Sequence, residues 1–263
     1  MNNNLPQFQR YIGIDYSGAQ TANSSLKGLR VYSATASSKP IEVLPPKSTP
    51  KYWTRRGIAE WLVASLNEDI PTLVGIDHSF SFPMRYFEYH QLTQDWIHFL
   101  EDFQAHWPTD QDDITVDSIR KGLQGNGRHR SGNAKWRRLT EEKSKAKSVF
   151  HFDVPGQVAK STHAGLPWLK YLIKNVSNNV HFWPYSGWDI PTGYSTVLEA
   201  YPALYNNNFN IEDRTADQHD AYSIAAWMQQ ADTEGELVDF LNPPITTTER
   251  TIAIVEGWII GVI

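Results

Sequence analysis

Tyr11-Ile12-Gly13-Ile14-Asp15 and Thr72-Leu73-Val74-Gly75-Ile76-Asp77 are short, apolar, β-prone runs, and each ends in an aspartate. Runs of this length and composition read as buried strands. Ser17-Gly18 supplies a turn after the first, and Phe80-Ser81-Phe82-Pro83 breaks the pattern after the second. Working outward, 29–34 reads as another strand and 41–44 as a third, stopped by Pro45-Pro46. With 11–15 these make a closely spaced antiparallel meander. Residues 55–66 carry Ile58, Trp61, Leu62 and Leu66 on one helical face. Residues 86–107 read as one long helix. Residues 156–173 read as helical in part, interrupted at Gly165-Leu166-Pro167. Strands are expected at 179–183 and 195–201, the latter closed by Pro202. Thr215 and Gln218 form a capping box for a helix over 216–229, and Thr246 and Glu249 form another, after a loop at 241–244. Ile252, Val255, Trp258 and Ile259 follow as a helical stripe. Three strands, then helix, strand and helix, then further strands and a helix, is an α/β pattern without regular alternation. No repeat or clean linker divides it, so 1–263 reads as a single domain.

The chain has 263 residues, 40% of them apolar, enough for one large core. No apolar run approaches the ~20 residues that span a bilayer, and the polar stretch 1–10 lacks a signal-peptide core. The expectation is a cytoplasmic protein with no membrane contact. The absence of cysteine excludes thiol nucleophiles, disulfides and cysteine-held zinc. Net charge is −5, but residues 120–147 hold ten Lys or Arg against two acids, a charge of +8 that leaves −13 on the rest. This basic stretch lies in an insertion at about 108–148 that shows no periodicity. It reads either as a contact for a polyanion or as a solvated, mobile loop. Arg128, Arg130, Lys135, Arg137, Arg138 and, further on, Lys160 are candidate phosphate contacts. Trp136, set between Lys135 and Arg137, is a candidate stacking platform for a base. DNA or RNA is the expected partner class.

The chemistry is carried by acids. Asp15 and Asp77 end strands, and ligands in open α/β sheets gather at the carboxyl ends of strands. Asp217 and Asp220 stand three apart on a helix and share a face. Glu199 lies near the end of a later strand. If these residues converge, their repulsion demands protons or cations. Oxygen-rich sites suit Mg²⁺ or Mn²⁺, and two such ions ~3.5–4 Å apart can activate water and stabilise a leaving oxygen in phosphodiester cleavage. The plainer readings are turn capping for Asp15 and Asp77, a helix-dipole role for Asp217 and a satisfied buried carboxylate for Glu199. His78 and His219 read as hydrogen-bonded structural histidines. Phosphate-loop, dinucleotide, zinc-protease and serine-hydrolase signatures are absent from the sequence.

Gly13-Ile14-Asp15-Tyr16-Ser17-Gly18 resembles the first strand and turn of ribonuclease H-like proteins, and the Asp217 and Asp220 pair resembles the last acidic pair of RuvC-type resolvases. The chain is similar to the domain-of-unknown-function 429 family, described as predicted nucleases of the ribonuclease H-like fold. The similarity rests on residues 75–83, 165–169, 182–184, 198–202, 217–221 and 256–261, in that order. It implies a mixed central sheet flanked by helices. It also implies a bridging role between two metals for Asp15, a second ligand in Asp77, and completion by Asp220 with or without Asp217. Asp77 stands where glutamate is frequent, which shortens its reach by one methylene, and Glu199 has no firm counterpart. Two other readings fit the sequence. One is a ribonuclease H-like nucleic-acid-binding or scaffold protein without catalysis. The other is an ATP-binding phosphotransferase of the actin-like group, which needs a second domain and a second glycine-rich phosphate turn.

Overall fold

The structure is a computed structural model that describes residues 7–47, 50–153 and 158–263. Six strands form one mixed sheet in the order β3-β2-β1-β4-β6-β5. β1 (Arg10–Asp15), β2 (Arg30–Thr35) and β3 (Ser38–Glu42) are the antiparallel meander. β4 (Thr72–Asp77) runs parallel to β1, and β6 (Ser195–Glu199) and β5 (Val180–Phe182) continue the parallel half. β3 begins and ends earlier than the apolar run 41–44 suggests. It is an edge strand that tolerates Pro40, and Ile41 is left exposed.

The helices are α1 (Arg55–Leu66), α2 (Met84–His90), α3 (Trp96–His106), α4 (Val116–Arg120), α5 (Leu139–Ser144), α6 (Ala159–Asn175), α7 (Ala216–Glu234), α8 (Leu237–Leu241) and α9 (Thr247–Glu256). Both expected capping boxes are present at Thr215 and Thr246. Among the described residues, no helix is long and apolar enough to cross a membrane. The expected stripe Ile252, Val255, Trp258, Ile259 is cut short, because α9 ends at Glu256 with Gly257 at φ 84° and Ile259 bridges to Glu199 instead. Three further expectations change. The helix expected over 86–107 is two, because Gln91 turns left-handed at φ 54° and Asp95 caps a fresh start by accepting from His98 N. The helix expected to break at Gly165-Leu166-Pro167 runs through. Pro167 cannot donate to the His163 carbonyl one turn back, and Thr109 Oγ1 donates to it instead at 2.8 Å. Gly156, where that helix was expected to begin, lies outside the described residues. The basic insertion, which showed no period, holds α4, a short 3₁₀ turn at Gly127–Arg130, and α5.

The two faces of the sheet follow strand alternation. Ile12, Ile14, Val74, Ile76 and Val197 pack into one core with α1, α3 and α6. Tyr11, Leu73 and Leu198 pack into another with α7. Gly13 and Gly75 are register partners on β1 and β4, and both point at α7. A Cβ on Gly13 would lie 2.2 Å from the Ala221 carbonyl oxygen, and one on Gly75 would lie 2.6 Å from Ile224 Cγ2. The absent side chains let α7 lie directly on the two central strands.

Candidate active site

Asp15 and Asp77 follow Gly13 and Gly75 by two residues, so alternation aims both at α7. They are also register partners at the ends of adjacent parallel strands. Each carboxyl acts on the proton affinity of the other, and the Tyr16 backbone N–H favours the charged form of Asp15. Burial is the main reason both acids hold protons unusually well. Asp15 is pushed well above the usual carboxylate range by burial and then by the charges of Asp77, Asp217 and Asp220. Asp77 is pushed up to about 8, by burial and then by Asp220 and Glu199. At neutral pH the pair therefore retains a proton rather than carrying two negative charges.

α7 brings the other acids to the same place. Asp220 accepts from Asn206 Nδ2 at 2.9 Å, and His219 Nε2 lies 3.0 Å from the Asn206 carbonyl oxygen, fixing the asparagine from two sides. Burial raises Asp220 while the Asn206 bond opposes the shift. Asp217 sits at the start of α7, and Gly28 lies between it and Ser17: a Cβ there would be 3.8 Å from Asp217 Oδ2 and 3.6 Å from Ser17 Oγ. The 17–20 turn after β1 is held by Arg55. This fully buried guanidinium donates to the carbonyls of Ser17 (3.2 Å), Ala19 (2.7 Å) and Gln20 (3.0 Å). Tyr205, stacked on Trp227 with 4.6 Å between ring centroids, has a buried hydroxyl without a hydrogen-bond partner among the described residues. The charges of Asp77 and Asp220 both reach it. Arg55, Asn206 and Tyr205 were not singled out in the sequence; nothing in local pattern marks them, because their roles arise from contacts across the chain.

Glu199 does not join these acids. It is the register partner of Ile76 rather than of Asp77, so its side chain leaves the opposite face of the sheet. There Arg138 holds it in a fork, Nη1 to Oε2 at 2.7 Å and Nη2 to Oε1 at 2.6 Å. Arg138 also donates to Glu141 Oε1 (2.8 Å), Ser79 Oγ (2.9 Å) and the Glu256 carbonyl (3.1 Å). All five of its N–H groups are thereby used. Burial works against its charge, but the facing Glu199 and Glu141 outweigh that and raise its pKa. The expectations that Arg138 contacts phosphate and that Glu199 is catalytic are both corrected here. Arg138 is 0% exposed, and the two side chains neutralise each other in a structural clamp. Glu256 completes it by accepting from the backbone N–H of Met84 (2.5 Å) and Leu139 (2.7 Å).

The clamp brings the basic insertion beside the carboxylates. Asp77, Glu199, Arg138 and Lys147 line one cavity of about 30 Å³, room for about one water. His78, in the same lining, is held neutral by burial, its pKa down to about 4. It packs against Tyr16 at 4.6 Å between ring centroids and against Gly165. The remaining expected phosphate contacts divide. Arg130 is committed to Asp102 at 2.6 and 2.8 Å, and Lys160 to Asp117 at 2.8 Å. Arg128, Lys135 and Arg137 are exposed. Trp136 is half-buried, its ring 5.3 Å from that of Tyr89.

The acids whose charges reach Asp15 are Asp77, Asp217 and Asp220, oxygen donors that suit a hard cation, and the proton the pair retains relieves the repulsion that a cation would relieve. Among the described residues, no three Asp, Glu or His side chains close into a ready-made metal cage. Asp15 and Asp77, with Asp220 and Asp217 within electrostatic reach, are the residues that could hold such a cation, since magnesium binds through one or two carboxylates and keeps waters. Compared with known protein families, curated proteins and solved structures, the chain matches none.

Proposed function

We propose that this chain is a metal-dependent nuclease of the ribonuclease H-like fold, similar to the domain-of-unknown-function 429 family, with Mg²⁺ or Mn²⁺ held at Asp15, Asp77 and Asp220. The observation that carries the reading is the paired carboxyls of Asp15 and Asp77 at adjacent strand ends, faced by the acids of α7. The antiparallel meander that passes into parallel strands at β1 and β4 is consistent with the fold named.

A bound divalent ion would supply water activation and charge neutralisation for phosphodiester hydrolysis. The chain's own residues do the rest. Asp15 and Asp77 would hold the ion, giving up their bound proton to it. Asn206 orients Asp220 through its 2.9 Å hydrogen bond. Arg55 keeps the 17–20 turn from collapsing onto the acids, and the exposed Arg128, Lys135 and Arg137 attract the polyanion.

A second reading, nucleic-acid binding without cleavage, is favoured by the lack of a closed metal cage among the described residues. One experiment separates them. Single- and double-stranded DNA and RNA are incubated with purified protein and Mg²⁺ or Mn²⁺. Cleavage is expected, and it is expected to disappear in Asp15→Asn and Asp220→Asn while binding persists. Binding without cleavage by the unaltered protein supports the second reading, and cleavage that survives in both variants overturns the first.

A further inference from the structure

The basic insertion and α6 enclose a second pocket, of about 340 Å³. This lies within the roughly 300–1,000 Å³ typical of ligand sites. Trp107, Phe150 and Phe152 give it aromatic walls, and His163, Arg120, Arg128, Ser131 and Asp153 are its polar lining. Two glycines lay the insertion directly on those rings: a Cβ on Gly127 would lie 2.4 Å from Trp107 Cε2, and one on Gly132 would lie 2.3 Å from Phe150 Cε1.

His163 gives the pocket a fixed polarity. Its Nδ1 lies 2.8 Å from the Ala159 carbonyl oxygen, so Nδ1 carries the hydrogen. Burial pushes the imidazole down to about 3, so the ring is neutral. Nε2 is then a lone-pair acceptor, and it has no hydrogen-bond partner among the described residues. Arg120 lies over Phe152, 4.2 Å from the ring centroid, and is paired with Asp153 at 3.1 Å. Arg128 donates to the carbonyls of Lys121 (2.8 Å) and Arg120 (3.4 Å). It has no carboxylate partner among the described residues, so its charge is available to an anion.

We propose that this pocket takes one unpaired nucleotide of a nucleic-acid strand, whose base carries an exocyclic amino group. The base stacks on the aromatic walls, its amine donates to His163 Nε2, and its phosphate meets Arg128. Aromatic stacking is sequence-tolerant; the fixed acceptor adds a preference for adenine or cytosine over uracil or thymine, which present a carbonyl at the equivalent position. This rests on the nucleic-acid reading above and names its substrate class, a single-stranded or locally opened strand. The spacing fits. The backbone of Lys160 packs on Gly18, which is three residues, at most about 10 Å, from Asp15. His163 is about one helical turn, roughly 5 Å, further along α6. A few nucleotides cover that distance.

The test uses full-length Asp15→Asn protein in EDTA, so it does not depend on cleavage or metal. Binding of AMP, CMP, UMP, a short oligodeoxyadenylate and its duplex is followed by calorimetry. AMP and CMP are expected to bind about three- to tenfold more tightly than UMP, the worth of one hydrogen bond. The single strand is expected to bind more tightly than the duplex. Ala134→Phe, at an exposed position of the pocket lining, is expected to remove nucleotide binding with the melting temperature unchanged. Arg128→Ser is expected to weaken AMP but not adenosine. Absence of saturable AMP binding, or equal binding in Ala134→Phe, overturns the pocket. Free AMP bound with the oligonucleotide excluded overturns its assignment to a strand. Failure of the nuclease reading would instead appear as absent cleavage by the unaltered protein, with these affinities intact.

Discussion

Asp15 and Asp77 are two acids placed where one negative charge is tolerable and two are not. The usual carboxylate value for Asp77 is 3.8, and the fold raises it to about 8. A proton held by the folded chain and released by the unfolded one makes stability fall as pH rises between those values. Without metal, the carboxyl pair is therefore expected to subtract stability from about pH 4 to pH 8, while the buried neutral His78 and His163 add stability as pH rises to about 6.5, so the net fall is expected between about pH 6.5 and pH 8. Asp77→Asn is expected to flatten that slope and to raise the metal-free melting temperature at pH 8, by about 2–4 °C for each kcal/mol of repulsion removed. Thermal unfolding across pH checks it, and an unchanged slope in the variant contradicts it. Arg138 is the opposite case, a buried cation with every donor used. Arg138→Met strands Glu199 and Glu141 in the core, an effect expected to cost about 3–5 kcal/mol. Arg138→Lys is not expected to restore it, since an ammonium cannot reproduce the fork. Urea denaturation of the three proteins measures both effects.

Among the elements, α7 decides whether the acids meet. Its seat depends on Gly13 and Gly75, and a methyl on Gly13 has nowhere to go, since the Ala221 carbonyl would lie 2.2 Å away. Gly13→Ala is expected to destabilise the protein by about 1–3 kcal/mol, as overpacking does, and to weaken metal binding by lifting Asp217 and Asp220 away from the strands. Denaturant unfolding with manganese titration reads the two together. The strands that matter here were legible in the sequence. β1 and β4 are apolar runs stopped by aspartate, and the caps of α7 and α9 are written in Thr215, Gln218, Thr246 and Glu249. What local pattern could not carry was tertiary. Thr109, distant in sequence, is what lets α6 pass Pro167. The split between α2 and α3 was visible in principle, since Thr93-Gln94-Asp95 holds a capping residue, but apolar spacing on either side concealed it. The sequence left Glu199 open between catalysis and a satisfied buried carboxylate for want of register: one residue's offset from β4 turns it to the other face, where Arg138 holds it.

Across the whole molecule, charge is divided between an acidic body and a basic insertion, and the sequence could show that division without placing it. The Arg138 clamp places it, bringing Lys147 into the same cavity lining as Asp77. The fold thus sets carboxylates that raise one another's proton affinity close to the end of the basic insertion, and their repulsion is what a divalent ion would relieve. Binding to the native state alone must raise stability. The direct test is thermal unfolding at pH 8, with and without Mn²⁺, for the unaltered protein and for Asp15→Asn. The account predicts a saturable Mn²⁺-dependent rise in melting temperature for the unaltered protein, lost in Asp15→Asn. No rise in the unaltered protein, or an equal rise in both, would contradict it.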